Sequence, residues 1–231
     1  MGDSPFLPSI NGLRFANAWP SDAHIAVRVP GMGNVTVGNA TKGLCGGMLF
    51  TALDVFATGH QPLPDPRPPA GSPLFRYIVR RHIDSWDLPS GVLKYYHWMN
   101  LPDADTNLGL ATLHGVGRRT LEQEWPAIRA DLDAGHPSPL GLVTVAGAQP
   151  SRLAQNQQVL AYGYTLAGCE LTIKVYDPNT DPTTGDDVHL SLSLANPSGT
   201  TPVTHNASIG GPIRGFFRVP YTPADPRRLG I

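Results

Sequence analysis

Charge is scarce in this chain. Asp, Glu, Lys and Arg make up 15% of its 231 residues, and 17 basic against 18 acidic side chains leave a net charge of −1. A protein that grips a phosphate backbone needs a basic stripe, so nucleic acid is excluded as an expected partner. Cysteine is scarcer still. Cys45 and Cys169 are the only two, too few for a disulfide scaffold and compatible with a reducing compartment. No apolar run approaches the ~20 residues that a membrane-spanning helix requires, so membrane insertion is not expected. The opening Met1-Gly2-Asp3-Ser4-Pro5 has no basic segment leading into an apolar one, and no secretory signal is read there. The chain is expected to be soluble, either cytoplasmic or part of a longer exported protein. Zinc-type spacings of Cys and His are missing as well, and no metal or other cofactor is expected.

Glycine and proline, by contrast, are plentiful. The 25 Gly and 24 Pro are spread along the chain and make up about a fifth of it, which predicts many turns and long ordered loops. The length and a hydrophobic content of 41% suit one domain with a sizeable core. Residues 1–43 read as an extended arm with short strands over 23–29 and 31–38. From Cys45 onward, Leu49, Ala52, Leu53 and Phe56 recur at helical spacing and Gly59 supplies a stop, predicting a helix with one buried face. Residues 60–73 form a proline-rich connection of polyproline character. Helices are expected over 74–83 and 91–99, divided at Leu88-Pro89-Ser90. A fourth begins at Thr120, where Thr120 and Gln123 have capping-box spacing, and runs through Trp125, Ile128 and Leu132 to Gly135 with a kink at Pro126. The period then switches to two. Residues 140–145, 159–164, 171–176, 188–194 and 213–219 read as strands, with Ala167-Gly168 as a hairpin turn. Helices ahead of a mostly antiparallel sheet make the expected class α+β. The chain is read as a single domain over 1–231, with an N-terminal arm and helical lobe at 1–135 and a sheet lobe at 136–231.

The helix opened by Cys45 gives that thiol a chemical reason to react. Unpaired amides and the helix dipole at an N-terminus favour thiolate over thiol, and Gly46-Gly47 leave room for a substrate backbone. A Cys-Gly-Gly tripeptide also reads as plain core, since free cysteine is among the most buried residue types. Two later segments bear on the choice: Gln157-Gln158-Val159-Leu160-Ala161-Tyr162-Gly163-Tyr164, which starts 112 residues after Cys45, and Val175-Tyr176-Asp177-Pro178-Asn179.

Together with Gly43-Leu44-Cys45-Gly46-Gly47, these segments resemble papain-like cysteine peptidases, and most of all the bacteriocin-leader-processing (double-glycine) peptidases. The resemblance covers roughly residues 35 to 195. It implies a papain-like fold in which Cys45 is the nucleophile and Asn39, six residues ahead, donates to the oxyanion. Val159 and Gly163-Tyr164 then hold the register of the base strand, with Asp177 as third member. Gln157 falls where the family carries histidine. A carboxamide does not titrate at any useful pH, so Gln157 can orient Cys45 but cannot relay its proton. Losing one member of such a unit removes on the order of 10⁴ to 10⁶ in turnover.

The resemblance therefore implies an inactive or strongly impaired site whose cleft binds a peptide or protein. A different base would instead give an active thiol hydrolase or acyl-transferase. The other histidines include His60, His82, His97 and His136, and His189, on a strand close in sequence to Asp177, is the first to consider. In a third reading the chain is a structural or interaction domain with Cys45 as core. Asp177-Pro178-Asn179-Thr180-Asp181 also spells half of a calcium loop. Pro182 and Val188 stand where such a loop needs glycine and a bidentate glutamate, so an Asx-rich turn is expected there.

Overall fold

In the computed structural model, which describes residues 2–19, 24–29, 33–39, 43–60 and 67–229, residues 24–29, 33–39, 182, 183, 228 and 229 are described in their backbone alone. The arm contributes β1 (Gly2–Asp3), a short helix α1 (Pro8–Asn11), and an antiparallel hairpin of β2 (His24–Val29) and β3 (Gly33–Asn39). Three helices follow: α2 (Cys45–Ala57), α3 (Pro73–Ser85) and α4 (Ser90–Met99). Of the proline-rich connection, residues 61–66 lie outside the described residues. A small hairpin, β4 (Thr106–Asn107) with β5 (Thr112–Leu113), leads into α5 (Val116–Arg118), a π-helical stretch (Arg119–Glu124) and α6 (Trp125–Asp133). The remainder is sheet: β6 (Ser138–Val143), β7 (Gln157–Ala167), β8 (Glu170–Tyr176), β9 (His189–Ser193), β10 (Thr204–His205) and β11 (Gly215–Arg218). Among the described residues no helix is long and apolar enough to cross a membrane.

The strands form a curled antiparallel half-barrel in the order β10-β9-β8-β7-β6-β11, with β1 pairing on β7 beyond the point where β6 ends. The expected α+β class is the one observed. Side chains on successive strand residues point to opposite faces, and here both faces are covered. Leu160 and Tyr162 of β7 join Val143 and Phe217 under α2 and α4, whereas Val159 and Ala161 join Leu142 and Phe216 under Trp125, Ile128 and Leu132 of α6. An irregularity between Ala161 and Gly163 shifts the alternation by one. Tyr164 consequently faces the α6 side, where its hydroxyl donates to Asp133 Oδ1 at 2.7 Å.

Two helices differ from their sequence reading. Every residue of α2 from Cys45 to Val55 is buried, so this helix is covered all round rather than along one face. It lies between the sheet and α3, and its one carboxylate, Asp54, is compensated inside the core. Asp54 pairs with Arg81 at 2.7 Å and accepts from the hydroxyls of Tyr77 (2.8 Å) and Tyr221 (2.7 Å) and from Ala224 N–H (2.9 Å). The fourth expected helix starts earlier, at Val116, and Thr120 does not cap it. Thr120 is buried mid-helix, and its Oγ1 accepts the Phe216 N–H of β11 at 3.2 Å. The stop at Gly135 is as expected, with a left-handed φ of 77°. The aromatic run on α4 is packing. Tyr95 and Trp98 both stack edge-on against Phe217, at 4.6 and 5.3 Å between centroids.

Candidate functional site

Cys45 is the first residue of α2, and the chain enters that helix through a left-handed Gly43 with φ of 92°. A side chain at Gly43 would strike the carboxamide of Asn17. That carboxamide stands in for a helix cap. Leu44, at the N-cap, offers no side-chain cap; Asn17 Oδ1 instead accepts its N–H at 2.7 Å, along with Trp19 Nε1–H at 2.9 Å. Gly46 and Gly47 do not leave space for a substrate. A side chain on Gly46 would run into Gln158 and the Ser85 hydroxyl, and one on Gly47 into Ile78 O and His82. These glycines let α2 settle against α3 and the start of β7.

Cys45 is only 8% exposed. Burial pushes its pKa from 9.0 up to about 11, against the pull of N–H groups from Gln158, Gly46 and Cys45 itself, and the negative charge of Asp177 adds to the rise. The helix terminus alone favours thiolate, but desolvation opposes the charged form more strongly, so Cys45 is held as a thiol at neutral pH. Cys169, the other free cysteine, is exposed beside the β7–β8 turn.

Gln157 and Gln158 open β7 beside this sulfur. Gln158 is buried and its Nε2 donates to Ser85 O at 3.1 Å, while the Tyr95 hydroxyl donates to Gln157 O at 3.1 Å. The Gln157 side chain meets the loop after β8, where Asn179 Nδ2 donates to its Oε1 at 3.3 Å. Asp177, on the same loop, is 1% exposed. It accepts from Asn179 N–H (2.9 Å), Asn179 Nδ2 (3.0 Å), Ser208 N–H (2.9 Å) and Thr180 Oγ1 (3.3 Å). Burial still raises its pKa despite these donors. The Asp177 oxygens bind N–H and O–H groups in an Asx turn, and among the described residues no group of three or more His, Cys, Asp or Glu could hold a metal ion.

The structure therefore brings Cys45, Gln157 and Asp177 into one neighbourhood, with Asn179 between the last two. Asn39 closes β3, and its side chain lies outside the described residues. Asn17, Asn179, Gln158, Ser85 and Tyr95 complete the site without having been singled out by sequence. Asn179 ends a segment already of interest, whereas Asn17 sits in the arm with no motif around it.

The direction of the hydrogen bonds in this chain of amides is determined. Leu44 N–H and Trp19 Nε1–H can only donate, so Asn17 turns its oxygen to them and gives Nδ2 to Asn179 Oδ1 at 2.9 Å. The carboxylate of Asp177 accepts only, which independently turns Asn179 Nδ2 toward Asp177 and Gln157. Position 157 thus receives a donor and must present an acceptor. Gln157 Oε1 does so. A neutral imidazole there would spend a ring lone pair on Asn179, and its other nitrogen would carry the proton, the wrong tautomer for taking a proton from sulfur.

Of the histidines considered as replacements, three bond other partners and two are placed by their helices. His82 is buried beside α2, but its Nε2 accepts from Trp86 Nε1 at 3.2 Å. His189 Nδ1 lies 3.0 Å from Asp187 O, on a strand separated from β7 by β8. His60 contacts Thr58 Oγ1 at 3.0 Å, past the far end of α2. His97 closes α4, and His136 follows α6. A cavity of about 190 Å³ shares Ser85 and Tyr95 with the surroundings of Cys45 and is otherwise lined by residues such as Lys94, Phe217 and Pro220.

No protein-family model, curated protein or solved structure matches this chain.

Proposed function

We propose that this chain is a cysteine-peptidase-like protein of papain-like fold, without turnover or with turnover strongly impaired, that binds a peptide or protein in the cleft beside Cys45. The observation that carries the reading is the polarity of the Asn17–Asn179–Gln157 relay. It asks for an acceptor at position 157, which fits an amide-adapted site better than a catalytic site that has lost a single residue. The thiol at the tip of a helix, abutting a strand that begins with Gln157 and backed by Asp177, supports the comparison with a peptidase frame. The high pKa of Cys45 supports the absence of turnover.

The burial of Cys45 favours a second reading, a structural domain in which this thiol is core. One experiment separates the two. Gln157→His is prepared alone and together with the exchange Asp177→Asn/Asn179→Asp, which leaves the charge unchanged and offers the imidazole an acceptor. Each protein is then treated with a thiol-directed peptide electrophile. A positioned general base contributes about 10² to 10⁴. The first reading expects a gain of at least about a hundredfold in Cys45 labelling for the exchanged protein and little for Gln157→His alone. No gain in either would transfer support to the core reading. Full gain in Gln157→His alone would keep the peptidase frame and refute the polarity argument.

A further inference from the structure

On α3, Arg76 and Arg80 are four residues apart and so share one helix face. With Pro73 and Tyr77 they form one wall of a cavity of about 460 Å³, closed opposite by Ala224 and Asp225 of the C-terminal segment. The charges in these walls are unequally satisfied. Arg81, also in the lining, spends its charge on Asp54 and Asp84, at 2.7 and 2.9 Å. Asp225 is held by Arg227 at 2.9 Å. Arg76 gives one N–H to Gly71 O at 2.6 Å and meets no carboxylate, and Arg80 makes no hydrogen bond or ion pair among the described residues.

Among the described residues neither Arg76 nor Arg80 forms an ion pair, and the one carboxylate in the lining of this cavity, Asp225, is paired with Arg227. The first turn of α3 carries no acidic residue, so the positive end of the helix adds to their field. The Tyr77 hydroxyl is turned inward to Asp54, so the exposed charged groups of the lining are the guanidinium forks of Arg76 and Arg80 and the Asp225 carboxylate. A second cavity of about 470 Å³ shares Arg80, Arg81 and Ala224 but is also lined by Asp84 and Asp87, so the first cavity, with Asp225 as its one carboxylate, is the better seat for an anion. Guanidinium forks match the paired oxygens of carboxylates and phosphates.

We propose that the cleft between α3 and residues 224–225 is an oxyanion-binding site that takes a phosphate or carboxylate group on Arg76 and Arg80. It is separate from the surroundings of Cys45 and does not depend on their function. The test is a titration of the full chain with sodium phosphate and, separately, sodium acetate, at constant ionic strength, followed by amide chemical shifts. The expected result is a saturable shift confined to residues 73–81 and 224–225, with the dissociation constant raised at least tenfold by Arg80→Gln and by Arg76→Gln. Arg129→Gln, on the distant α6, should leave it unchanged. Saturation by phosphate alone assigns the site to phosphate groups, and saturation by both anions or by acetate alone admits carboxylates. Absence of saturation with either anion would overturn the proposal, as would an equal response in folded Arg80→Gln. Both arginines are exposed, so the variants are expected to fold, and circular dichroism verifies this.

Discussion

Alkylation of Cys45 as a function of pH follows directly from its burial. With a pKa of about 11, about one molecule in ten thousand carries thiolate at pH 7, against about 3% for an ordinary thiol. The more basic thiolate is intrinsically more nucleophilic, and with a Brønsted slope near 0.4–0.5 this recovers about a factor of ten. Cys45 should therefore react with iodoacetamide about 30-fold more slowly than an open thiol at pH 7, and more slowly again because it is only 8% exposed. Cys169 is exposed in the same molecule, so mass spectrometry of the two tryptic peptides compares both sites in one reaction. The Cys45 rate should keep climbing past pH 9. Equal labelling of the two cysteines at neutral pH, or a Cys45 profile with a midpoint below 8, would refute the reasoning. The same shift has a thermodynamic side. A thiol whose pKa rises on folding contributes stability that is complete below the unfolded pKa of 9.0 and is lost as pH climbs through about 11. The loss should reach roughly 3 kcal/mol, from two units at about 1.4 kcal/mol each. Cys45→Ser should remove that part of the alkaline slope.

Two further substitutions test the packing that positions the site. Asp54→Asn leaves the buried Arg81 with only the exposed Asp84 as a carboxylate partner and should cost about 3 kcal/mol in urea denaturation; a change below 1 kcal/mol would mean that the cluster of Tyr77, Arg81 and Tyr221 does not hold α2 to the C-terminal segment. Gly46→Ala drives a methyl group into Gln158 and Ser85 and should cost about 1–3 kcal/mol, whereas Gly59→Ala, which meets nothing within 4 Å, should show only the smaller cost of a left-handed backbone.

Much of the local structure was legible because it rests on local chemistry. Alternating apolar residues located five of the six strands after α6, within a few residues of their bounds, since sheet side chains alternate faces; the two-residue β10 at Thr204–His205 is too short to carry an alternation. Apolar spacing gave α2, α3 and α4, and left-handed glycines gave the stops at Gly59, Gly135 and the Gly168 turn. The helix start at Val116 was missed because Thr120 and Gln123 mimic a capping box. Thr120 is instead used by β11, a strand 96 residues away in sequence. Asp54 carried no signal, because nothing near it in sequence announces Arg81, Tyr77 and Tyr221 converging on it.

By itself, the sequence determined where the longer helices and strands lie, the order in which they come, and that Cys45 leads a helix while an amide occupies position 157. The state of that thiol was decided only in three dimensions. Ionisation depends on how much water and which donors surround the sulfur, and those are supplied by β7, α3 and the loop after β8. The glycines after Cys45 gained their role in the same way, as room for neighbouring elements of the protein. The direction of the relay into Gln157 was likewise set by donors at Leu44 and Trp19, because an amide's orientation is dictated by the partners that folding delivers to it.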